Sequence, residues 1–143
     1  MAAAKSFRDL NVYARAREGS RMVFEITRRF PKEERYALVD QVRRSSRAIK
    51  AMLAEAWARR RYKAAFINKI DEALGESYET QSWLDDALDA GYITSEEFKE
   101  LDDRYNAVGG MLSRMIDRAD DFCKNSPDTD YRSFREDPPF TDL

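Results

Sequence analysis

The residues of this chain best suited to chemistry are clustered cations. Arg43, Arg47 and Lys50 recur at i, i+4 and i+7, so they share one face of a helix. Clustered cations favour phosphate binding because each neutralised phosphate releases condensed counterions, and Tyr62 or Trp57 can stack on an unpaired base. The predicted nucleic-acid-binding residues are Arg43, Arg44, Arg47, Lys50, Arg59, Arg60, Arg61 and Lys63. The alternative, which we favour, is that these cations form ion pairs within a subunit or between subunits.

A second candidate site is a set of carboxylates. Glu72, Glu76 and Glu79 also recur at i, i+4 and i+7, and Glu55 can face them from the preceding helix. Carboxylates gathered inside a helical bundle can hold a metal ion or perform acid–base chemistry. The chain has no histidine, so the ligand pairs of di-iron bundles are missing, and arginine partners are available. We therefore predict ion pairs here, with no metal and no cofactor.

The absence of histidine restricts catalysis more widely. It excludes the Ser-His-Asp and Cys-His arrangements and leaves no side chain with an unperturbed pKa near neutrality. No phosphate-binding glycine loop or nucleophile elbow is present, and the single cysteine, Cys123, cannot form an intrachain disulfide. The sequence therefore predicts a non-enzymatic protein with no small-molecule substrate.

The elements that position these residues are four helices. Apolar side chains recur with 4-3-4-3 spacing in four successive stripes, which is typical of helices that each bury one face. The stripes run over residues 12–30, 38–56, 67–88 and 98–122. This repetition predicts an all-α, antiparallel, up-and-down four-helix bundle over residues 1–125.

Local signals predict where the helices begin and end. We expect the first helix to run from near Phe7 to just before Pro31, because proline restricts the residue that precedes it. The acidic pair at 33–34 is then expected to open the second helix. A basic turn within 59–62 should separate the second helix from the third.

Two further signals flank the loop before the fourth helix. Gly91 can adopt the left-handed conformation that ends a helix, and Thr94 with Glu97 forms a capping box. The fourth helix should therefore begin near Ser95. Within it, Gly109-Gly110 suggests a close approach of another backbone.

Residues 126–143 differ from the rest of the chain. They are acidic and rich in proline and show no apolar periodicity, so we predict a disordered or loosely docked tail. Docking through Phe134 and Phe140 is the alternative.

Charge is distributed unevenly between the two halves. Residues 1–63 hold 17 basic and 7 acidic side chains, and the remainder holds 8 and 20, so the halves carry net charges of +10 and −12. Asp85, Asp86 and Asp89 oppose the dipole near the end of the third helix, which suggests a basic partner. Head-to-tail contact between subunits would use this asymmetry, and such contacts can close into rings.

The first residues give no targeting signal. Residues 1–6 lack the apolar core of a signal peptide, and no apolar stretch is long enough to cross a bilayer. We expect a cytoplasmic protein with no membrane partner.

An ordered series of segments resembles the four-helix bundle proteins related to the 23S rRNA intervening-sequence (S23) proteins. These segments occupy residues 7–12, 30–36, 41–45, 53–55, 73–80 and 90–93. The resemblance implies a small bacterial bundle that assembles as a homopentameric ring, with no established catalysis. A related branch is the accessory protein of diversity-generating retroelements, which implies nucleic acid or a nucleic-acid enzyme as a possible partner. The chain departs from the family pattern at 48–56, where the usual proline, asparagine and glycine are replaced.

Overall fold

The structure is a computed structural model that describes residues 4–123. Five α-helices follow one another, namely α1 (Asn11–Thr27), α2 (Leu38–Ala58), α3 (Lys63–Asp89), α4 (Ser95–Asp117) and the single-turn α5 (Ala119–Phe122). Short 3₁₀ turns at Phe7–Asp9 and Lys32–Glu34 precede α1 and α2. The predicted tail at 126–143 lies outside the described residues.

The four long helices form the predicted up-and-down bundle. Each packs against its neighbours in sequence, and α4 closes the bundle against α1, so α1 lies diagonally opposite α3. The α2–α3 seam is the most closely packed and the α1–α4 seam the least. The core is apolar, and its largest fully buried side chains are Tyr105, Phe66, Ile49, Leu53, Ile70 and Leu84.

Three of the predicted boundaries are confirmed. The turn between α2 and α3 occupies residues 59–62. After α3, Gly91 has a φ of 76°, and the amide of Tyr92 donates to the Ala87 carbonyl at 2.9 Å, which is a Schellman motif. The α4 capping box is complete, because Glu97 N donates to Thr94 Oγ1 (3.0 Å) and Thr94 N to Glu97 Oε1 (2.8 Å).

The predicted starts of the first two helices were wrong. Phe7 belongs to a 3₁₀ turn with its own capping box, formed by Ser6 and Asp9, and α1 begins only at Asn11. The acidic pair at 33–34 lies in the second 3₁₀ turn, and Ala37, with φ −121° and ψ −103°, separates that turn from α2. Glu34 nevertheless acts on α2 because its Oε1 accepts a hydrogen bond from Leu38 N (3.3 Å).

A neighbouring helix approaches closely at Gly19 and not at the predicted pair, Gly109-Gly110. A Cβ on Gly109 would lie 3.6 Å from Leu74 Cδ1, an ordinary contact, and one on Gly110 would be 3.5 Å from Arg114. A Cβ on Gly19 would instead lie 2.8 Å from the Tyr105 hydroxyl oxygen. Gly19 therefore makes room for Tyr105 across the α1–α4 seam.

Hydroxyl groups cross the α2–α3 seam inside the core. Ser45 and Thr80, both fully buried, share a hydrogen bond of 2.8 Å. The Thr80 hydroxyl also lies within hydrogen-bond distance of the Glu76 carbonyl oxygen (2.9 Å). These contacts provide partners for both buried hydroxyls across the seam.

Glu97 joins the turn that follows α1 to α4, as well as capping α4. Arg29 donates to Glu97 Oε1, and this hydrogen bond, followed by that from Thr94 N, lowers the pKa of Glu97 to about 2. Because the folded-state pKa is depressed, the stabilisation is present above the ordinary value of 4.5 and is lost as pH falls towards 2.

Replacing Glu97 with Gln should therefore destabilise the protein in a pH-dependent way. We expect a loss of about 1 kcal/mol at pH 7, since the pair is partly solvent-screened, and no difference from wild type near pH 2. Urea unfolding of both proteins from pH 2 to 7 measures this. The control is Glu96→Gln, which removes a first-turn carboxylate with no ion pair in residues 4–123. A Glu97→Gln deficit that is the same at every pH would contradict the assignment.

Candidate functional site

The predicted cationic residues are divided among three places. Arg43, Arg47 and Lys50 lie towards α1, whereas Arg44 lies towards α3. The cations at 59–63 lie around the α2–α3 turn, about 18 Å along the α2 axis from Arg47 at 1.5 Å per residue. The structure therefore does not bring the eight residues into one surface.

The set that lies towards α1 borders a groove between α1 and α2 of about 540 Å³. We call it the basic groove and define it by Arg21, Phe24, Arg47 and Lys50, which line it, together with Arg43 beside them; Glu18 and Glu25 of α1 also line it. The Phe24 ring is 38% exposed, and the guanidinium carbons of Arg43 and Arg47 lie 4.5 and 5.8 Å from its centroid. The groove thus combines an accessible aromatic ring with cations on both of its helices.

Arg43 is fixed in place by polar contacts to α1. Its Nε donates to Thr27 Oγ1 (2.8 Å). Partial burial, and then the like charges of Arg47 and Arg28, lower the pKa of Arg43. An anionic group beside Arg43 would therefore be stabilised by the positive charges of Arg43 and Arg47.

Arg44 forms ion pairs within the chain. It bridges to Glu76 Oε1 (3.4 Å) and to Glu79 across the α2–α3 seam. Partial desolvation lowers its pKa, but the hydrogen bonds and charges of the two carboxylates outweigh this, so the pKa of Arg44 is raised. Arg44 is thereby engaged in an interhelical ion pair.

The carboxylates considered for a metal are also engaged by cations. Lys69 lies 3.1 Å from Glu55 and 3.4 Å from Glu72, while Arg44 holds Glu76 and Glu79. Within residues 4–123, no group of three or more Cys, Asp or Glu side chains is arranged to hold a metal ion.

The cations of the α2–α3 turn stack on their own aromatic neighbours. The Arg60 guanidinium carbon lies 3.6 Å from the centroid of Trp57, and that of Arg61 lies 5.8 Å from Tyr62. Lys63 forms an ion pair with Asp120 of α5 (2.7 Å). Of this set, Arg59 and Arg61 are the exposed members.

A surface of opposite charge lies on α3. Its helical spacing places Asp71, Tyr78, Asp85, Asp86 and Asp89 on one exposed face, which we call the acidic stripe. Tyr78 is 60% exposed. Within residues 4–123, none of these side chains forms an ion pair or a hydrogen bond.

Arg21, Phe24 and Tyr78 were not among the predicted site residues. Phe24 and Tyr78 lie outside the apolar stripes that define the core, so a large aromatic residue at a solvent-facing helical position was the available signal. Arg21 belongs to the groove because α1 packs beside α2, and the sequence alone does not show that packing.

In the part of the chain that the structure describes, no helix combines the length and the apolar character that crossing a lipid bilayer requires.

Architecture and surface together define an all-α four-helix bundle with segregated surface charge. The sequence matches the family of 23S rRNA-intervening sequence proteins over residues 8–114, and the chain belongs to that family.

A solved relative has the same fold. It is a crystal structure of a protein of unknown function from the S23 ribosomal protein family of Bacteroides thetaiotaomicron VPI-5482, 27% identical, with a TM-score of 0.66. The alignment covers 74% of this chain and 95% of the relative. No curated protein matches the chain.

Proposed function

We propose that this protein is a non-enzymatic scaffold that assembles with itself, the basic groove of one copy binding the acidic stripe of the next. The observation that carries the proposal is a pair of oppositely charged, exposed surfaces on different sides of the bundle. The resemblance to ring-forming family members agrees with this, and it implies a pentamer.

Ion pairs within the chain leave part of the charge of these two surfaces unpaired, although Arg21 pairs with Glu18 inside the groove (3.8 Å). The interhelical ion pairs use Arg29, Arg44, Lys63 and Lys69, while Arg47 and Lys50 have no ion pair in residues 4–123. Because α1 and α3 are diagonal, the acidic stripe cannot fold onto its own basic groove. A neighbouring copy can supply the missing charge.

The two surfaces also carry apolar groups suited to an interface. Phe24 lies in the groove and Tyr78 lies in the stripe, both exposed. Aromatic residues are enriched at the centres of interfaces, where they contribute most of the binding energy. The charges orient the copies, and the aromatic rings stabilise the contact.

Asp85→Lys should dissociate the assembly. Reversing a charge in the stripe places like charges opposite the basic groove, so we expect light scattering to give the mass of a monomer where wild type gives an oligomer. The matched control is Asp117→Lys, the same change at the exposed end of α4. A wild-type protein that stays monomeric at both low and high salt would refute self-assembly.

A mixing experiment tests the head-to-tail geometry. Arg47→Ala/Lys50→Ala disables the groove of one variant without reversing its charge, and Asp85→Lys disables the stripe of another. Each is expected to be monomeric alone, and an equimolar mixture should stop at a heterodimer, because only one groove and one complementary stripe remain intact. Full oligomers in the mixture would instead show that the contact is symmetric.

Nucleic acid binding in the basic groove is the second candidate function. It is favoured by the stacking of Arg43 and Arg47 on the exposed Phe24 ring, because cations beside an accessible aromatic ring suit single-stranded nucleic acid. The accessory proteins of retroelements, which the chain resembles, make this a reasonable alternative.

The combined variant Arg43→Ala/Arg47→Ala distinguishes this candidate. If nucleic acid binds the groove, fluorescence anisotropy with single-stranded RNA and DNA should show affinity that falls steeply with salt, with the slope of log affinity against log salt reduced by about 1.4 in the variant. Arg59→Ala/Arg61→Ala is the matched control at the α2–α3 turn. No binding at 50 mM salt would eliminate this candidate without affecting self-assembly.

A further inference from the structure

A second groove, separate from the charged surfaces above, lies where the start of α1 meets the end of α4. Its volume is about 810 Å³. Met111, Met115 and Phe122 give it an apolar wall, and Leu10 and Val12 lie on the other side. It opens along the α1–α4 seam, the most loosely packed seam of the bundle. We call it the end groove.

The end groove carries uncompensated positive charge. Three cations and two carboxylates line it, and of the carboxylates Asp121 pairs with Arg118 (2.9 Å), while Asp9 Oδ2 accepts from the backbone amides of residues 5 and 6 (2.9 and 3.1 Å). The side chains of Lys5 and Arg114 line the same groove and have no ion pair in residues 4–123. A ligand that suits it is both apolar and acidic.

The chain itself contains such a segment. Residues 136–143 carry Glu136, Asp137 and Asp142 with no basic residue, together with Phe140. The two prolines at 138–139 fix φ and so reduce the conformational entropy that binding must overcome. The negative charge and the phenylalanine of this segment therefore complement the positive charge and the apolar wall of the end groove.

The connection between the groove and this segment is short enough for intrachain binding. Phe122 lines the groove, and Phe140 follows 18 residues later. That stretch can span about 60 Å when extended, so it can reach back, and the tether raises the effective concentration of the segment to the millimolar range. The family match ends at residue 114, so the segment and the groove wall formed by Met115, Arg118 and Phe122 both lie beyond the matched region.

We propose that residues 136–143 bind in the end groove of their own chain, with Phe140 against Met111 and Met115 and the acidic side chains beside Lys5 and Arg114. The segment would then cover apolar surface at one end of the bundle. This inference does not depend on self-assembly or on nucleic acid binding, because it uses a different surface.

Methionine methyl NMR of the full chain tests the proposal. Met111 and Met115 report on the groove, while Met22 and Met52 lie elsewhere and serve as internal references. Phe140→Ser should shift the methyl signals of Met111 and Met115 and leave the references unchanged. Phe134→Ser, the matched control, replaces a phenylalanine flanked by arginines and should shift none of the four.

A double-mutant cycle of Phe140→Ser with Arg114→Glu tests the electrostatic contribution to binding. Arg114 is exposed. The effect of Phe140→Ser on the two groove methyl signals should be smaller in the Arg114→Glu background. Methyl signals of Met111 and Met115 that do not shift in the Phe140→Ser variant would overturn the proposal. A response that grows with protein concentration would also overturn it, because the groove would then bind the segment of a second copy.

Discussion

Replacing Phe66 with alanine is expected to lower the free energy of unfolding by about 3–5 kcal/mol. Phe66 is 1% exposed in the first turn of α3, and its ring stacks on Phe122 with centroids 5.6 Å apart. The substitution removes a large buried ring and leaves a cavity between α3 and α5 that the stiff helical backbones cannot close. Urea unfolding followed by circular dichroism measures the loss.

Phe24→Ala is the matched control for that prediction. Phe24 is already 38% exposed, so the same truncation leaves no closed cavity and should cost less than about 1 kcal/mol. Similar losses at the two positions would mean that Phe66 is not packed as described. The control variant is also useful in its own right, because it removes the aromatic ring of the basic groove without unfolding the protein.

Gly19→Ala should destabilise the protein even though alanine is the better helix former. Its Cβ would lie 2.8 Å from the hydroxyl oxygen of Tyr105 and 3.1 Å from Tyr105 Cζ. The Tyr105 ring is fully buried and has no room to retreat. We expect a net loss of about 1–3 kcal/mol, typical of overpacked cores, measured by the same urea titration.

A double-mutant cycle identifies the clash. Tyr105→Phe removes a buried hydroxyl that has no hydrogen-bond partner in residues 4–123, so alone it should be neutral or stabilising. Combined with Gly19→Ala it should restore part of the lost stability, because the contact with the hydroxyl is removed while Cζ, 3.1 Å away, remains. Gly75→Ala is the matched control, because nothing lies within 4 Å of its Cβ position, and it should stabilise α3 by about 0.5–1 kcal/mol. Additive effects of Gly19→Ala and Tyr105→Phe would contradict the contact.

The sequence was sufficient to predict a helix boundary where the interactions that set the boundary are local. Gly91 and the Thr94–Glu97 box mark the α3–α4 loop correctly, because each needs only residues within one turn of itself. The start of α2 was misplaced because Glu34 is held by a distant partner, since Tyr92 of that loop donates to its Oε2 (2.9 Å). Periodicity along one helix carries no information about such a contact.

For the candidate sites too, spacing along one helix predicted some features, and the packing of the helices decided the others. Spacing along α2 correctly grouped Arg43, Arg47 and Lys50, but it could not separate Arg44, which points to a different neighbour. It also gave no reason to choose Gly19 over Gly109, because the need for a glycine comes from the ring of Tyr105 on another helix. Which helix packs beside which is a property of the assembled bundle.

The Ser45–Thr80 hydrogen bond fixes the axial alignment of α2 against α3. Helices that meet through apolar and small side chains alone can slide past one another by a turn, 5.4 Å, and regain similar contacts. Here such a slide would break the hydrogen bond between the two buried hydroxyls and leave each with only a carbonyl of its own helix as partner, at a net cost of about 0.5–1.5 kcal/mol. A single polar pair therefore favours one alignment of this helical hairpin over otherwise similar alternatives.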